Sequence, residues 1–503
     1  MLCLSPCSRR RLCRSKTQKD WHHKPGLSRA SVRSLADGII GSKARDFSEV
    51  YAHTPREFSI YMSLIEELLE GRFQLPCSEI RLTREKGDPI EIAGPGVIGL
   101  NAKGKFEYSI NVSVADHALI YDFGWKSLRP PGSLFPPESY FRLKATSSSE
   151  GIWSGQALLP QAASGEEIVR GTLSELVSEQ DEAPAEFDRA TMFVPTKLSF
   201  PTLHRTRSDG GISYDHTEFP IDSENFTFYH RNSFTELECR LEPGSISKNR
   251  HRRLQEALGF ALCHPVWPSA MILRSGGRRS EILYPPSRLA TNFNVSYQPF
   301  HFANRPLESR AKFFDFVSAY YRKTIQDESS QEHPISAGVV LVMEALQSYV
   351  NVMVLALAVA AEALIRTAFP DISVIDPGLK GEIKKFKALV DASDLSERFK
   401  DRIKRSTDPF LSPSGSDLLH SFITKFGLDM AIHEAWRKSR HPAAHGTLID
   451  LLTDDLATVV QRRDKVLYLC YAIVLGYIGY SGPHTRYDIL GYQVTDWNPN
   501  KGT

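Results

Sequence analysis

Apolar positions change period partway along the chain. Up to about residue 304 they alternate. Ser78 to Arg84 and Lys105 to Ser113 place an apolar side chain at every second residue, as a strand with one buried face requires. Tyr140 to Ala145, Phe226 to His230, Thr235 to Glu242 and Ile282 to Tyr284 repeat that pattern. Turn-forming clusters punctuate it at Gly94-Pro95-Gly96, Pro130-Pro131-Gly132, Ser208-Asp209-Gly210-Gly211 and Gly276-Gly277. Helices are predicted at Glu57 to Leu69 and Lys248 to Leu262. Residues 150–190, polar and ending in the acidic run Glu179 to Glu186, read as a long loop.

From residue 305 the period becomes helical. Phe313, Phe314, Val317, Tyr320 and Tyr321 form one stripe. A long helix, nearly apolar all round, is predicted within Ser336 to Ala368 and ends before Pro370. Two short amphipathic helices follow, marked by Leu379, Ile383, Phe386 and Leu389, then by Leu395, Phe399 and Ile403. Leu418 to Trp436 is helical with a break near Gly427. Two more helices are expected over Pro442 to Val460 and Arg463 to Tyr480. The fold class is therefore α+β. A β-rich antiparallel sandwich or barrel with a few helices spans 46–304, and an all-α bundle spans 305–480. Residues 1–45 read as a disordered extension or the product of a start codon placed too far upstream, with a transit peptide as the other reading. Residues 481–503 read as a tail.

Composition adds little. The chain has 503 residues and a formal charge of +2, so whole-chain electrostatics select no partner. Its seven cysteines are scattered without C-x-x-C spacing, which fits reduced thiols and a cytoplasmic location. Cys263-His264 lacks the second pair a metal site would need. The apolar runs Tyr349 to Ala361 and Val466 to Tyr480 are too short to span a bilayer, so no membrane partner is expected. Nor is any metal or cofactor. The β half holds no Gly-rich phosphate loop, G-x-S-x-G or H-E-x-x-H.

Candidate chemistry concentrates in Trp436-Arg-Lys-Ser-Arg-His-Pro-Ala-Ala-His-Gly446. His441 precedes Pro442, which biases the backbone out of helix there and suits the proline to the first turn of a new one. Such a break would bring Arg440 and His445 together at a helix N-terminus, where free N–H groups favour an anion. An Arg fork grips phosphate oxygens and a neutral His accepts a proton. Glu362, the first charge after a long apolar run, needs a partner if buried. Arg440 and Arg366, four residues on, are the two candidates. Arg437 and His441 are further candidates for substrate contact, against a solvated surface role. The basic faces between Lys380 and Arg405 would suit an RNA backbone, or simply solvent. Lys248 to Arg253 sets cations at a helix start, which the dipole opposes.

Arg440-His-Pro-Ala-Ala-His445, with Gly446 behind it, resembles the R-x4-6-H motif of HEPN domains, often written R-N-x-x-A-H-G; His441 stands where Asn is commonest. The resemblance covers the helical third of the chain. It implies metal-independent cleavage of RNA, tRNA among the candidate targets, by a homodimer with paired motifs. His445 would act as base or acid, Arg440 would stabilise phosphate charge, and Glu362 would be the acidic residue on an earlier helix. The layout of β half and HEPN third resembles ApeA-type abortive-infection proteins of bacteria. That implies antiviral defence, with a phage-derived trigger as the N-terminal domain's partner. A non-catalytic dimerisation or RNA-binding bundle is the alternative.

Overall fold

The computed structural model describes residues 64–126, 139–147, 151–162, 167–208, 211–286, 297–301, 307–327, 330–373, 377–408, 412–444 and 455–498. Residues 64–69 are helical, and the rest of the predicted Glu57 to Leu69 helix lies outside these segments. Fourteen antiparallel strands form one hydrogen-bonded system. Six of them, β1 (Gln74–Arg84), β2 (Glu91–Leu100), β3 (Phe106–Asn111), β4 (Tyr140–Ser147), β5 (Ile152–Ala162) and β6 (Ile168–Leu173), close on themselves in the order β4-β1-β2-β3-β6-β5, with β5 returning to β4. Closure removes the exposed edges that an open sheet carries. Its interior is filled by Ile80, Leu82, Ile98, Phe106, Tyr108, Phe141 and Trp153, all fully buried. Helix α1 (Val114–Lys126) links β3 to β4.

One register contact, Ser154 to Val177, leads from β5 into the second part of the sheet. There β7 (Leu176–Asp181), β8 (Asp188–Val194), β9 (His204–Ser208), β10 (Gly211–Ile221), β11 (Glu224–His230), β12 (Thr235–Leu241), β13 (Ala270–Ser275) and β14 (Arg278–Leu283) run in the order β7-β14-β13-β8-β12-β11-β10-β9. The β13–β14 hairpin turns on Gly276 and Gly277, with φ of +57° and +78°, the conformation that two-residue hairpins demand.

Two expectations for this half are corrected. Residues 150–190 are not a long loop: β5, β6, β7 and the start of β8 occupy most of them. Buried positions here mix large residues, Trp153, Val169, Leu173 and Leu176, with small ones, Ala157, Ser178 and Ala190, which blurs the alternation in a polar composition. Gly94-Pro95-Gly96 is not a turn either, because β2 runs through it. Pro95 sits where the register of β1 slips between Cys77 and Ile80, a bulge where its missing N–H is tolerated. A Cβ on Gly94 would lie 1.9 Å from the carbonyl oxygen of Asn111, so only glycine allows that approach.

Helix α2 (Arg250–Leu262) lies between β12 and β13 in sequence. The helical region then comprises α3 (Leu307–Thr324), α4 (Pro334–Ala345), α5 (Val350–Ala368), α6 (Pro377–Asp391), α7 (Glu397–Thr407), α8 (Gly415–Lys425), α9 (Met430–Ala444) and α10 (Leu456–Tyr477). The apolar core does not part at residue 305. Phe219 of β10 meets Phe314 of α3 at 4.6 Å between ring centres, Phe226 meets Tyr321 at 5.3 Å, and one cluster runs from Ala190 to Trp497. α10 is buried at every position from Val466 to Leu475 and forms the centre of the bundle.

The helical expectations shift in three places. The single helix within Ser336 to Ala368 is two, α4 and α5, separated by residues 346–349. The break expected between Val460 and Arg463 is absent. Asp455 instead caps α10 through the N–H groups of Ala457 and Thr458, and the helix continues to Tyr477. The stretch read as a tail forms a hairpin, β15 (Gly482–Arg486) with β16 (Gln493–Trp497). That hairpin is docked through buried His484, Thr485, Tyr487 and Trp497. The break at Gly427 is as expected, with φ +62°.

Candidate functional site

The site is assembled where α5, α8 and α9 meet. Trp436 of α9 donates its indole N–H to the carbonyl of Ala358 on α5 at 2.9 Å. One turn further along both helices, Arg440 Nε donates to Glu362 Oε2 at 3.2 Å. Each contact advances four residues on each helix, so α5 and α9 run the same way here. Glu362 also accepts from Arg366, whose Nη2 lies 3.1 Å from Oε1. Both partners proposed from the sequence are therefore engaged at once, one on each carboxylate oxygen.

The N-terminus of α8 completes the cluster. Ser414 caps it reciprocally with Asp417, and Gly415, the first helical residue, abuts Glu362 so closely that a Cβ would lie 2.8–2.9 Å from its carboxylate end. A helix N-terminus beside a carboxylate is electrostatically favourable. Glu362 is 25% exposed and Arg440 37%, so the guanidinium stays open to solvent on one side.

Beyond Ser416 of α8 lies a second polar contact. Its hydroxyl sits 3.1 Å from Nε2 of His433 on α9, whose ring also packs on Trp436. Burial holds His433 below the ordinary imidazole range, with nearby His420 and Arg437 acting in the same direction against a hydrogen bond to Ser416 that raises it. His433 precedes Arg440 by seven residues, about 10 Å along the helix, so the two lie on one face without sharing a reacting atom.

The other sequence candidates fare differently. Arg437 spends its fork on Glu434, at 2.9 and 3.0 Å, and is largely exposed. It is not among the partners of Glu362. His441 belongs to the last turn of α9. His445 lies outside the described residues. The helix break expected at His441-Pro442 is absent, since α9 runs on to Ala444. Pro442 lacks the N–H that would bond the Lys438 carbonyl, at a residue whose side chain is exposed.

The basic faces of α6 and α7 are partly neutralised. Lys387 pairs with Asp408 and Lys404 with Asp391, while Lys380, Lys385, Arg398, Arg402 and Arg405 stay exposed. The cations at the start of α2 serve the fold. Arg250 pairs with Glu224, and Arg253, fully buried, pairs with Glu256 and donates to the carbonyls of Asp327 and Ser330. Those acids offset the unfavourable dipole position. Sequence reasoning missed Gly415, Ser416 and His433. His433 stands three residues before Trp436 and seven before Arg440, a helical spacing that was the available signal for it.

Comparison with family models, with curated proteins and with solved structures finds no match to this chain.

Proposed function

We propose that the helical region is a metal-independent endoribonuclease of the HEPN type, in a bacterial anti-phage or toxin role. The observation that carries this reading is the half-open Arg440 guanidinium, fixed on Glu362 at the junction of α5, α8 and α9. A cation held by one edge can present its other N–H groups to a phosphate, and charge stabilisation of that kind is a large catalytic term. In this reaction the 2′-oxygen attacks phosphorus and the P–O5′ bond breaks. The 2′-OH proton leaves to a base and the departing 5′-oxygen gains one, giving a 2′,3′-cyclic phosphate and a 5′-OH. His445 is the group assigned to proton transfer, with Arg437 and His441 as weaker candidates for substrate contact.

A homodimer is part of the proposal. Tyr349, Val352 and Val359 are 87%, 46% and 40% exposed along the face of α5 that leads to Glu362 and Arg366. An apolar stripe on a central helix is the surface a second copy would cover. The same stripe supports the second reading, a non-catalytic dimerisation or RNA-binding bundle. Labelled tRNA and total RNA incubated in EDTA with wild type, Arg440→Ala and His445→Ala separate the two. Cleavage to cyclic-phosphate ends by wild type alone supports the nuclease. Equal cleavage by all three overturns the site. Dimerisation without cleavage, in the presence of phage lysate as well, favours the scaffold.

A further inference from the structure

One cavity lies remote from Arg440. It holds about 430 Å³ between the second part of the sheet, α2 and α4. That volume suits a small organic molecule. Its apolar surface comes from Trp267, Met271 and Tyr284, with Val339 and Met343 of α4 opposite. Trp267 is partly exposed. The charged lining is one-sided: Glu175, Glu256 and Glu332 against Arg252.

Glu256 gives that imbalance a direction. Its side chain is 9% exposed. Oε1 accepts from Arg253 at 2.9 Å and from the backbone N–H of His333 at 3.1 Å, which fixes the carboxyl in place. Oε2 is buried and has no hydrogen-bond partner. Oε2 is sealed from the cavity as well as from solvent, so Glu256 acts on a ligand in the cavity through its charge. Burial pushes the Glu256 carboxyl up to about 7, against the pull of Arg253 and the His333 N–H, and a cation alongside would favour its ionised form.

We infer that this cavity is a binding site for a compact organic cation with a flat apolar body, such as an aryl amidine or aromatic amine. The cationic end is drawn by the charge of Glu256, with Glu175 and Glu332 adding to the field. The flat body lies among Trp267, Tyr284 and Met271, where aromatic faces favour positive charge. An anion of the same shape would meet three carboxylates against the guanidinium of Arg252 and that of Arg253, which is already paired with Glu256.

The test uses the full chain and two probes of one size and opposite charge, benzamidine and benzoate, in isothermal titration calorimetry. Benzamidine should bind saturably at one site, with benzoate weaker by about tenfold or more. Trp267→Ala, a change at a partly exposed position, should weaken benzamidine by roughly fivefold. Glu256→Gln should do at least the same while retaining its circular dichroism; if that variant fails to fold, Trp267→Ala decides. Absence of saturable benzamidine binding, equal binding of benzoate, or unchanged affinity in Trp267→Ala would overturn the assignment. The readout is binding alone, so it stands apart from RNA cleavage.

Discussion

Arg440 reaches Glu362 across 78 positions of sequence, and the contact pins the C-terminal part of α9 to the C-terminal half of α5. Glu362 is shared with Arg366, so removing the carboxylate should leave two guanidinium groups facing each other. Glu362→Gln is expected to cost only about 1 kcal/mol in urea unfolding, because the pairs are partly solvated. On the proposed nuclease reading, RNA cleavage should fall by roughly tenfold through misplacement of Arg440, and by about a hundredfold or more in Arg440→Ala. Arg366→Ala should leave cleavage near wild type. Equal losses in Arg366→Ala and Glu362→Gln would contradict a positioning role for Glu362.

Gly415→Ala tests the same geometry without touching a charge. Alanine is the better helix former by about 1 kcal/mol, so stability should hold. Its methyl would displace the Glu362 carboxylate. Cleavage should therefore drop toward the Glu362→Gln level while the urea midpoint stays put.

Gly338 of α4 packs onto Leu364 of α5, where a Cβ would lie 2.6 Å from Cδ2 of a buried side chain. Gly338→Ala should destabilise by about 1–3 kcal/mol through overpacking, read from chemical unfolding. A stability gain would mean that α4 shifts freely.

Acid should weaken the fold between pH 6.5 and 4. Burial holds His251, His333 and His484 at about 4, against an ordinary value of 6.5. In that window the unfolded chain binds more protons at these three sites, so their contribution is present above 6.5 and is lost as pH falls toward 4. Glu256, raised to about 7, and Glu281, also raised by burial, act oppositely, favouring the folded state at lower pH, but they are two groups against three. Urea midpoints at pH 7 and pH 5 should fall in that order; an equal or higher midpoint at pH 5 would contradict this balance.

The hairpin of α6 and α7 carries Leu379, Phe386, Leu389, Leu395 and Phe399 on its exposed surface, with only Ile383 and Val390 buried among its apolar side chains. Leu389→Ser and Phe399→Ser should each change stability by less than about 0.5 kcal/mol, because neither fills a core. A larger loss on thermal unfolding would show that a segment covers that face.

Several elements were legible from local pattern alone. Alternation located β1, β3, β4, β11, β12 and β14, two adjacent glycines located the β13–β14 turn, and Gly427 separated α8 from α9. These depend on side-chain period and backbone φ, both properties of neighbouring residues. The strands within 150–190 escaped because small or polar residues, Ala157, Ser178 and Ala190, take some of their buried positions and leave little hydrophobic mark. Asp455 was a readable helix start that a pattern drawn around Pro442 passed over.

What the sequence by itself determined was the switch from strands to helices near residue 305 and the identity of Arg440 and Glu362 as charges in need of partners. Tertiary structure alone decided that they meet, that Arg366 and Gly415 share the contact, and that six strands close into a barrel. It also decided that α9 continues through Pro442, because packing of Trp436 and Arg440 on α5 outweighs the local preference of one proline. Residue types and spacing set what each segment can do, and only long-range contacts, selected by burial, choose among the options.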